Sequence, residues 1–514
     1  MGKRSRVHES QWFPDECRSI ERSFKKLDLQ ILGWDDECQH AAIRNDDQEK
    51  YEGESDMVFG KTFEVIEMKD LPPMQHPNRD NRIFMVRPCY LKLFDLITEE
   101  ARLCENANII VTGNPGIGKS RFYLYFLWKI IKEGLPEGYS HLVINCRDVY
   151  HFYENKEFIE LVSQQERNRL KDSAGVLRLV DGCSSTLEGW HGTSVLFATP
   201  GTPRLHQFEK AMEGSTFIMP PWGLEELLIC NEACGIGLST DEIRSRVSFF
   251  GGIPRFILTD DQDIEEELRS EVEMAISSIE GRRILNFVFA STEVRQHVLK
   301  MVPLDEDTFK RETLDFLSEY IAEKVIDQIE REFHDDLESF FHETQDYSYT
   351  SVFRRRIYEK LCHRRLTSTS QTIAARNLLE NVQGSLSIPF QATPRIWFGE
   401  IEEITLVSNT TAYFKPSSKT FPSIDAIYWD GEILYLLQMT LNTKHPIVNA
   451  VVEKILKWAE SRKCSLIFVV PSGLAGAFAK QDFLASGKSK RKIEPKNLKE
   501  GVRNLPQYVI GFDP

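Results

Sequence analysis

An eight-residue loop, Gly113-Asn114-Pro115-Gly116-Ile117-Gly118-Lys119-Ser120, constrains this chain more than any other feature, because of what flanks it. The apolar run Ala107 to Val111 precedes it and the helical run Arg121 to Trp128 follows. The loop thus fits G-x-x-x-x-G-K-[ST] in the strand-before, helix-after setting that gives the pattern its meaning. Its glycines let consecutive N–H groups turn inward as an anion nest, and the helix N-terminus adds partial positive charge. Lys119 is then placed to neutralise β and γ phosphates, and the Ser120 hydroxyl to ligate Mg2+. The expected ligand is a nucleoside triphosphate, ATP with Mg2+, held by the eight residues of the loop.

A metal-bound triphosphate also needs a carboxylate at the end of a neighbouring strand, and Val176-Leu177-Arg178-Leu179-Val180-Asp181 supplies one. Asp181 is the candidate catalytic and metal-holding acid, although Gly182 stands where a catalytic Glu usually follows, so nucleotide binding is more firmly indicated than hydrolysis. Thr199, after Val195 to Ala198, is expected to orient the attacking water. Arg255, in Gly251-Gly252-Ile253-Pro254-Arg255, is expected to reach the γ-phosphate from a lid. A capping Asp and a solvated Arg after a Gly-Gly-x-Pro turn are the plainer alternatives.

Apolar runs at Ala107–Thr112, His141–Cys146, Val176–Asp181, Ser194–Thr199 and Ser215–Met219, the first three separated by helical lengths, predict a parallel sheet covered on both faces. The fold class is therefore α/β: a parallel-sheet P-loop NTPase, AAA/STAND-like, with a helical lid. At 514 residues the chain exceeds one core, and four segments are expected. Residues 1–80 read as a polar, weakly ordered leader, 81–260 as the NTPase core and start of the lid, and 261–350 as an acidic helical linker. Residues 351–514 read as a small α/β domain.

Charge separates the last segment from the rest: 351–514 carries 23 Lys and Arg against 14 Asp and Glu, a net of +9, while residues 1–350 sum to -24. Only this third suits a polyanion, through Arg354-Arg355-Arg356, Arg364-Arg365 and Lys488-Ser489-Lys490-Arg491-Lys492, and the last run also reads as a nuclear import signal. A merely soluble basic surface is the alternative. The ten cysteines are scattered without zinc spacing, and no apolar run reaches the roughly 20 residues of a membrane helix. An intracellular protein with reduced thiols and no membrane partner is expected, its oligomeric state open, a homo-oligomer included. A kinase is excluded, since there is no D-F-G and His363-Arg364-Arg365 only superficially matches H-R-D.

Several of these segments together resemble the Crinkler effectors and retrotransposon hot spot proteins. They are Val86-Arg87-Pro88-Cys89-Tyr90, Val111 to Trp128, Val180-Asp181-Gly182, Pro220-Pro221-Trp222 with Glu225-Glu226-Leu227, Gly251 to Arg255, and Phe421-Pro422-Ser423-Ile424-Asp425-Ala426 with Gln438-Met439-Thr440. The resemblance implies a P-loop NTPase joined to a restriction-endonuclease-like C-terminal domain. Such nucleases place an Asp on one strand of a hairpin and Glu or Gln, followed two residues on by Lys, on the next. It thereby implies Asp425 as metal ligand, Gln438 and Thr440 as its partners, and Glu359 as the upstream acid. Asp430-Gly431-Glu432 would turn the hairpin. Thr440 occupies the position of the Lys, with Lys444 and His445 the nearest substitutes. The Leu-x-Leu-Phe-Leu-Ala-Lys header of many Crinklers is not found in residues 1–80, so the expected location is intracellular and nuclear, with export to a host requiring another route.

Two functions follow. In one, ATP gates a Mg2+-dependent nuclease. In the other, the chain is a nucleotide-controlled switch whose nuclease-like domain only binds nucleic acid or protein.

Overall fold

Strands form in this chain where five or six apolar residues run together, and helices where apolar residues recur every three or four. The computed structural model describes residues 18–23, 62–68 and 83–513, the last with breaks at 105, 147, 155–156, 183, 185–186, 188, 203–204, 206–207, 209–213, 260–261, 279–295, 306, 333–339, 342, 345–346, 348–349, 380–384, 417–422, 461 and 486–490. Two units result, with a break between Tyr349 and Thr350.

The first unit opens with an antiparallel sheet of β1 (Arg18–Ser23), β2 (Thr62–Glu67) and β3 (Ile83–Met85). These strands depart from the expected weakly ordered leader, whose other residues lie outside those described. Pro88 then starts helix α1 (Pro88–Leu103), where its missing N–H costs nothing. The main sheet is built from β4 (Asn108–Thr112), β5 (His141–Cys146), β6 (Val149–Glu154), β7 (Glu157–Glu160), β8 (Val176–Asp181), β9 (Thr193–Phe197) and β10 (Thr216–Ile218). Their order is β10-β4-β9-β8-β5-β6-β7. The first five in that order run parallel, and they coincide with the five apolar runs. Every residue of β4, β8 and β9 is buried, as expected of strands covered on both faces. β6 and β7 extend one edge as an antiparallel hairpin that the sequence does not announce.

Helix α2 (Lys119–Glu133) buries Phe122 through Trp128 without interruption, so it lies inside the unit rather than on it. Its aromatic rings join α1 to the sheet: Phe126 lies 4.8 Å from Phe94, and Phe122 lies 5.7 Å from Phe197. α3 (Gln164–Lys171) precedes β8. After the sheet come α4 (Leu224–Ala233), α5 (Thr240–Phe250), α6 (Pro254–Ile257) and α7 (Gln262–Ser277).

The helical linker expected over 261–350 is interrupted. β11 (Leu299–Pro303) and β12 (Glu312–Phe316) form an antiparallel hairpin before α8 (Glu319–Glu332). β11 is wholly buried, and Lys300 faces Asp315 across the ladder with Nζ 3.7 Å from the carboxylate. A charged cross-strand pair on a buried run gives these residues a partner that a helix would not.

The second unit begins with α9 (Ser351–Ser368). Its sheet comprises β13 (Gln371–Asn377), β14 (Ser385–Phe390), β15 (Arg395–Phe398), β16 (Ala412–Pro416), β17 (Ala426–Trp429), β18 (Ile433–Met439), β20 (Lys463–Val470) and β22 (Gln507–Gly511), with a separate pair β19 (Ile447–Val448) and β21 (Phe483–Leu484). The order is β14-β13-β22-β20-β18-β17-β16-β15, and α10 (Asn449–Ala459) connects the parallel strands β18 and β20. Asp430-Gly431 turns the β17–β18 hairpin, with the Asp430 carboxylate accepting from the Glu432 and Ile433 amides at 2.8 and 2.6 Å. One core lies under α10 and includes Ile427, Leu434, Leu436, Val452, Ile455, Leu466 and Phe468.

Gly251 ends α5 at φ +66°, and a Cβ there would stand 1.8 Å from the Leu317 carbonyl oxygen. Strain and overpacking should together cost at least about 2 kcal/mol in Gly251→Ala. The urea midpoint should fall clearly, and an unchanged midpoint would contradict this packing.

Candidate functional site

β4 delivers the loop and α2 carries it away, so the sheet fixes one end and the aromatic interior the other. Gly113, Gly116 and Gly118 take φ values of +151°, +82° and +106°, the last two closed to other residues without strain. The Lys119 ammonium lies over the loop and donates to the carbonyls of Gly113 at 2.8 Å and Asn114 at 2.9 Å. Ser120 Oγ donates to Asp181 Oδ1 at 3.0 Å across 61 residues. A hydroxyl beside a carboxylate, with an ammonium over a glycine-rich loop at a helix N-terminus, is a donor set that fits Mg2+ and a polyphosphate.

The loop is gripped from three sides. Asn114 acts as a link to β11: its Nδ2 donates to the Leu299 carbonyl at 2.9 Å and its Oδ1 accepts from the Met301 amide at 2.7 Å. Trp222 Nε1 donates to the Ile117 carbonyl at 2.8 Å, and the Tyr90 hydroxyl reaches the Gly118 carbonyl at 3.4 Å. Pro115 lies between the Asn114 and Gly116 anchors.

Behind Trp222 lies Arg87, only 1% exposed. Its guanidinium donates to both Glu226 oxygens, at 3.0 and 2.9 Å, and to the Pro220 and Pro221 carbonyls at 3.1 Å, and it stacks 4.5 Å over the Trp222 ring. Sequence reading singled out these segments only as a resemblance, and the structure brings them together as one clamp.

Arg255 is delivered by the same clamp. Gly252 accepts from the Trp222 amide at 2.9 Å, and a Cβ on Gly252 would stand 2.2 Å from the Trp222 carbonyl oxygen. Such close backbone contact lays the Arg255 side chain on the loop, where a Cβ added to Gly116 would meet Arg255 Cβ at 2.7 Å. Thr199 sits at the same end of the sheet, just beyond β9, with its hydroxyl 3.4 Å from that of Thr202. β9 lies between β4 and β8, with Phe197 opposite both Val111 and Asp181.

Burial drives the Lys119 pKa down to about 7, Arg255 adds to the effect, and Asp181 opposes it.

The C-terminal residues gather around the start of β17. Asp425 accepts from Gln438 Nε2 and from the Met439 amide, both at 2.6 Å. Burial raises its pKa to about 8, and Glu359 adds to the rise. Gln438 Oε1 is buried and has no hydrogen-bond partner. A carboxylate beside an orphaned amide oxygen fits a hard divalent cation such as Mg2+. Among the described residues no group of three His, Cys, Asp or Glu side chains could hold a metal ion, so protein ligation there would lean on Gln438.

Glu359 on α9 lies 3.6 Å from His363 Nε2, and His363 Nδ1 is 2.7 Å from the Tyr413 hydroxyl. Burial lowers the His363 pKa to about 4. Thr440 is buried, and its hydroxyl accepts from the Asn442 amide at 3.1 Å to close the next turn. Lys444 is exposed, and the His445 amide donates to Gln481 at 2.6 Å. In the basic runs Arg356 is buried and Lys492 pairs with Asp482 at 2.9 Å, while 488–490 lie outside the described residues. Sequence reading missed Lys415, buried on β16, whose charge acts on both Asp425 and His363.

Comparison with known proteins adds the family context. Crinkler effector protein 15 of Phytophthora infestans is 24% identical over 387 residues, covering 72% of this chain and 60% of that protein. Crinkler effector protein 16 of the same organism is 31% identical over 156 residues, covering 29% and 24%. The sequence is similar to these two Crinkler effector proteins over those spans. The chain spans less than two thirds of either Crinkler relative, and no family model matches it. Among solved structures, the RuvB Holliday junction branch migration motor of Thermotoga maritima aligns over 51% of this chain and 82% of its own, at 12% identity and a TM-score of 0.22. No helix among the described residues is long and apolar enough to cross a membrane.

The Lys119 environment sets a pH dependence. Its folded pKa lies below that of a free lysine, so between pH 7 and about 10 the unfolded chain binds a proton that the folded chain lacks. The stability penalty is full below pH 7 and is relieved as pH rises through that window. A polyphosphate restores the charge, so its binding takes up a proton, and affinity should fall up to about tenfold per pH unit above pH 7. Calorimetry at pH 8.5 in buffers of different ionisation enthalpy should report that uptake. Equal heats in every buffer would contradict it.

Proposed function

We propose that the chain is an ATP-binding P-loop NTPase, AAA/STAND-like, that controls a nucleic-acid-acting C-terminal unit, and that this unit is a Mg2+-dependent DNA nuclease. The observation that carries the first half is the 3.0 Å contact of Ser120 with Asp181 beneath Lys119, inside a glycine-lined loop. β9 lies between the loop strand and the Asp181 strand, and Thr199, just beyond β9, is the residue that would orient the attacking water. Arg255, laid on Gly116 by the Trp222 contact, is the group that would sense the γ-phosphate.

Ser120 and Asp181 would hold Mg2+, which when bound would supply neutralisation of the charge that develops on the phosphates. This chain's own contributions are the amides that orient the phosphates, the Lys119 ammonium, and the Ser120 and Asp181 oxygens. Gly182 offers no base, so turnover is expected to be slow.

In the second unit, Asp425 and the orphaned Gln438 oxygen support the nuclease reading, with Glu359 as the group that accepts a proton from water. The excess of Lys and Arg in this third of the chain supports a nucleic-acid partner. The similarity to proteins named as effectors supports host-directed export, and the basic run Lys488-Ser489-Lys490-Arg491-Lys492 is the proposed nuclear import signal.

A second reading has specific support. Gly182 after Asp181 and Thr440 after Gln438 each remove a group that turnover would use, which favours a nucleotide-controlled switch with a binding-only C-terminal unit.

Plasmid nicking separates the two. The nuclease reading expects Mg2+-dependent nicking that ATP alters, that Lys119→Ala uncouples from ATP, and that Asp425→Ala reduces by at least about 100-fold. DNA left intact across divalent metals, with and without ATP, leaves the switch.

A further inference from the structure

We propose that Cys230 and Cys234 are a dithiol that a hydroperoxide closes to a disulfide, and that closure loosens the hold of the Arg87 clamp on the glycine-rich loop. The effect on nucleotide rests on the nucleotide-binding reading above, whereas the disulfide itself does not.

The two sulfurs lie 3.8 Å apart on one face of α4, where residues four apart in a helix meet. Cys230 is buried, and Cys234 is half-buried at the helix end, its amide still bonded to the Cys230 carbonyl at 2.9 Å. Cys234 Sγ donates to the Ile83 carbonyl at 3.8 Å, which leaves the Cys230 thiol to donate to the Cys234 sulfur. The charge of Arg121, the residue after Ser120, acts on both sulfurs. The hydrogen bond to Cys234 and burial hold the Cys230 thiol well above its ordinary pKa. Cys234 is therefore the sulfur that meets the oxidant, and Cys230 the one that resolves it.

α4 is fastened at both ends to the segment that carries Arg87. Near its start Glu226 holds the Arg87 guanidinium, and at its end Cys234 holds Ile83, the first residue of β3 and four before Arg87. A disulfide has no S–H, so closure takes the donor from Ile83. It also needs Cβ atoms about 3.5–4.5 Å apart, whereas helix neighbours at this spacing keep about 5–6 Å, so the last turn must draw in. Beyond Cys234 the chain turns through Gly235 and Gly237, at φ +66° and +88°, and a Cβ added to either would meet nothing within 4 Å. The turn thus has room to move, and its movement pulls on both fastenings of the clamp.

The oxidation balances with the hydroperoxide as acceptor of two electrons. The Cys234 sulfur, giving up its proton, bonds to one peroxide oxygen as the O–O bond breaks, which leaves a sulfenic acid and releases water or an alcohol. The Cys230 sulfur then bonds to the Cys234 sulfur as the S–O bond breaks, and the hydroxyl leaves as water with the Cys230 proton.

The test treats the full chain, wild type and Cys234→Ser, with hydrogen peroxide. Trypsin releases both cysteines in one peptide, 211–244. In oxidised wild type that peptide should be lighter by two hydrogen atoms and should resist alkylation at both positions until dithiothreitol is added. Affinity for Mg2+-ATP in equilibrium dialysis should fall at least about fivefold on oxidation and recover on reduction. Cys234→Ser should keep its affinity through the same treatment, and Cys230→Ala stands in if the serine variant does not fold. Ready alkylation of both cysteines after peroxide overturns the site. A linked pair with unchanged affinity, or an equal loss of affinity in Cys234→Ser, overturns its effect on the loop. If reduced wild type retains no nucleotide, the nucleotide-binding reading has failed and the effect on the loop falls with it, while the peptide alone decides the disulfide.

Discussion

The guanidinium of Arg87 is the contact on which the glycine-rich loop of the first unit depends. It is buried, it holds Glu226 by two hydrogen bonds, and it fixes Pro220, Pro221 and the Trp222 ring in one place. Taking that charge out of water costs several kcal/mol, so the arrangement persists only because every partner is present, and removal of one would cost about 3–5 kcal/mol. A buried Arg held this closely gives Trp222 no freedom to leave the loop carbonyl that it bonds.

From Trp222 the constraint passes in two directions. Forward, it reaches Ile117 and so sets the curvature of the loop. Sideways, it reaches Gly252 and so sets where Arg255 lies. Loop and lid thus share one support, and a polyphosphate that neutralised Lys119 and Arg255 together would relieve the repulsion that helps to keep the Lys119 pKa low. Asn114 ties the same loop to the β11 edge, which gives the β11–β12 hairpin a direct hold on the loop.

What was legible in the sequence was local. The loop, the five parallel strands and the Asp181 strand end could be read because each is a pattern within a few residues. The Asp430-Gly431 hairpin is legible for the same reason, since the turn type demands those residues. The Arg87 clamp spans 139 residues to Glu226, and no periodicity records such a pairing. The β11–β12 hairpin was read as helix because acidic residues around it mask two short buried runs. Thr440 was judged by its spacing from Gln438, yet the strand ends at Met439 and its hydroxyl closes a turn. Lys415 escaped notice because a lysine between Phe414 and Pro416 looks like an edge residue, and only the fold buries it beneath Trp397.

Equilibrium dialysis of Mg2+-ATP against the folded full chain at pH 7 addresses the central claim most directly. The architecture of the loop predicts saturable binding of one nucleotide per chain, displaced by an excess of inorganic triphosphate because the phosphates supply most of the contact. Retention of no nucleotide by a chain whose circular dichroism and cooperative unfolding show it to be folded would contradict the account.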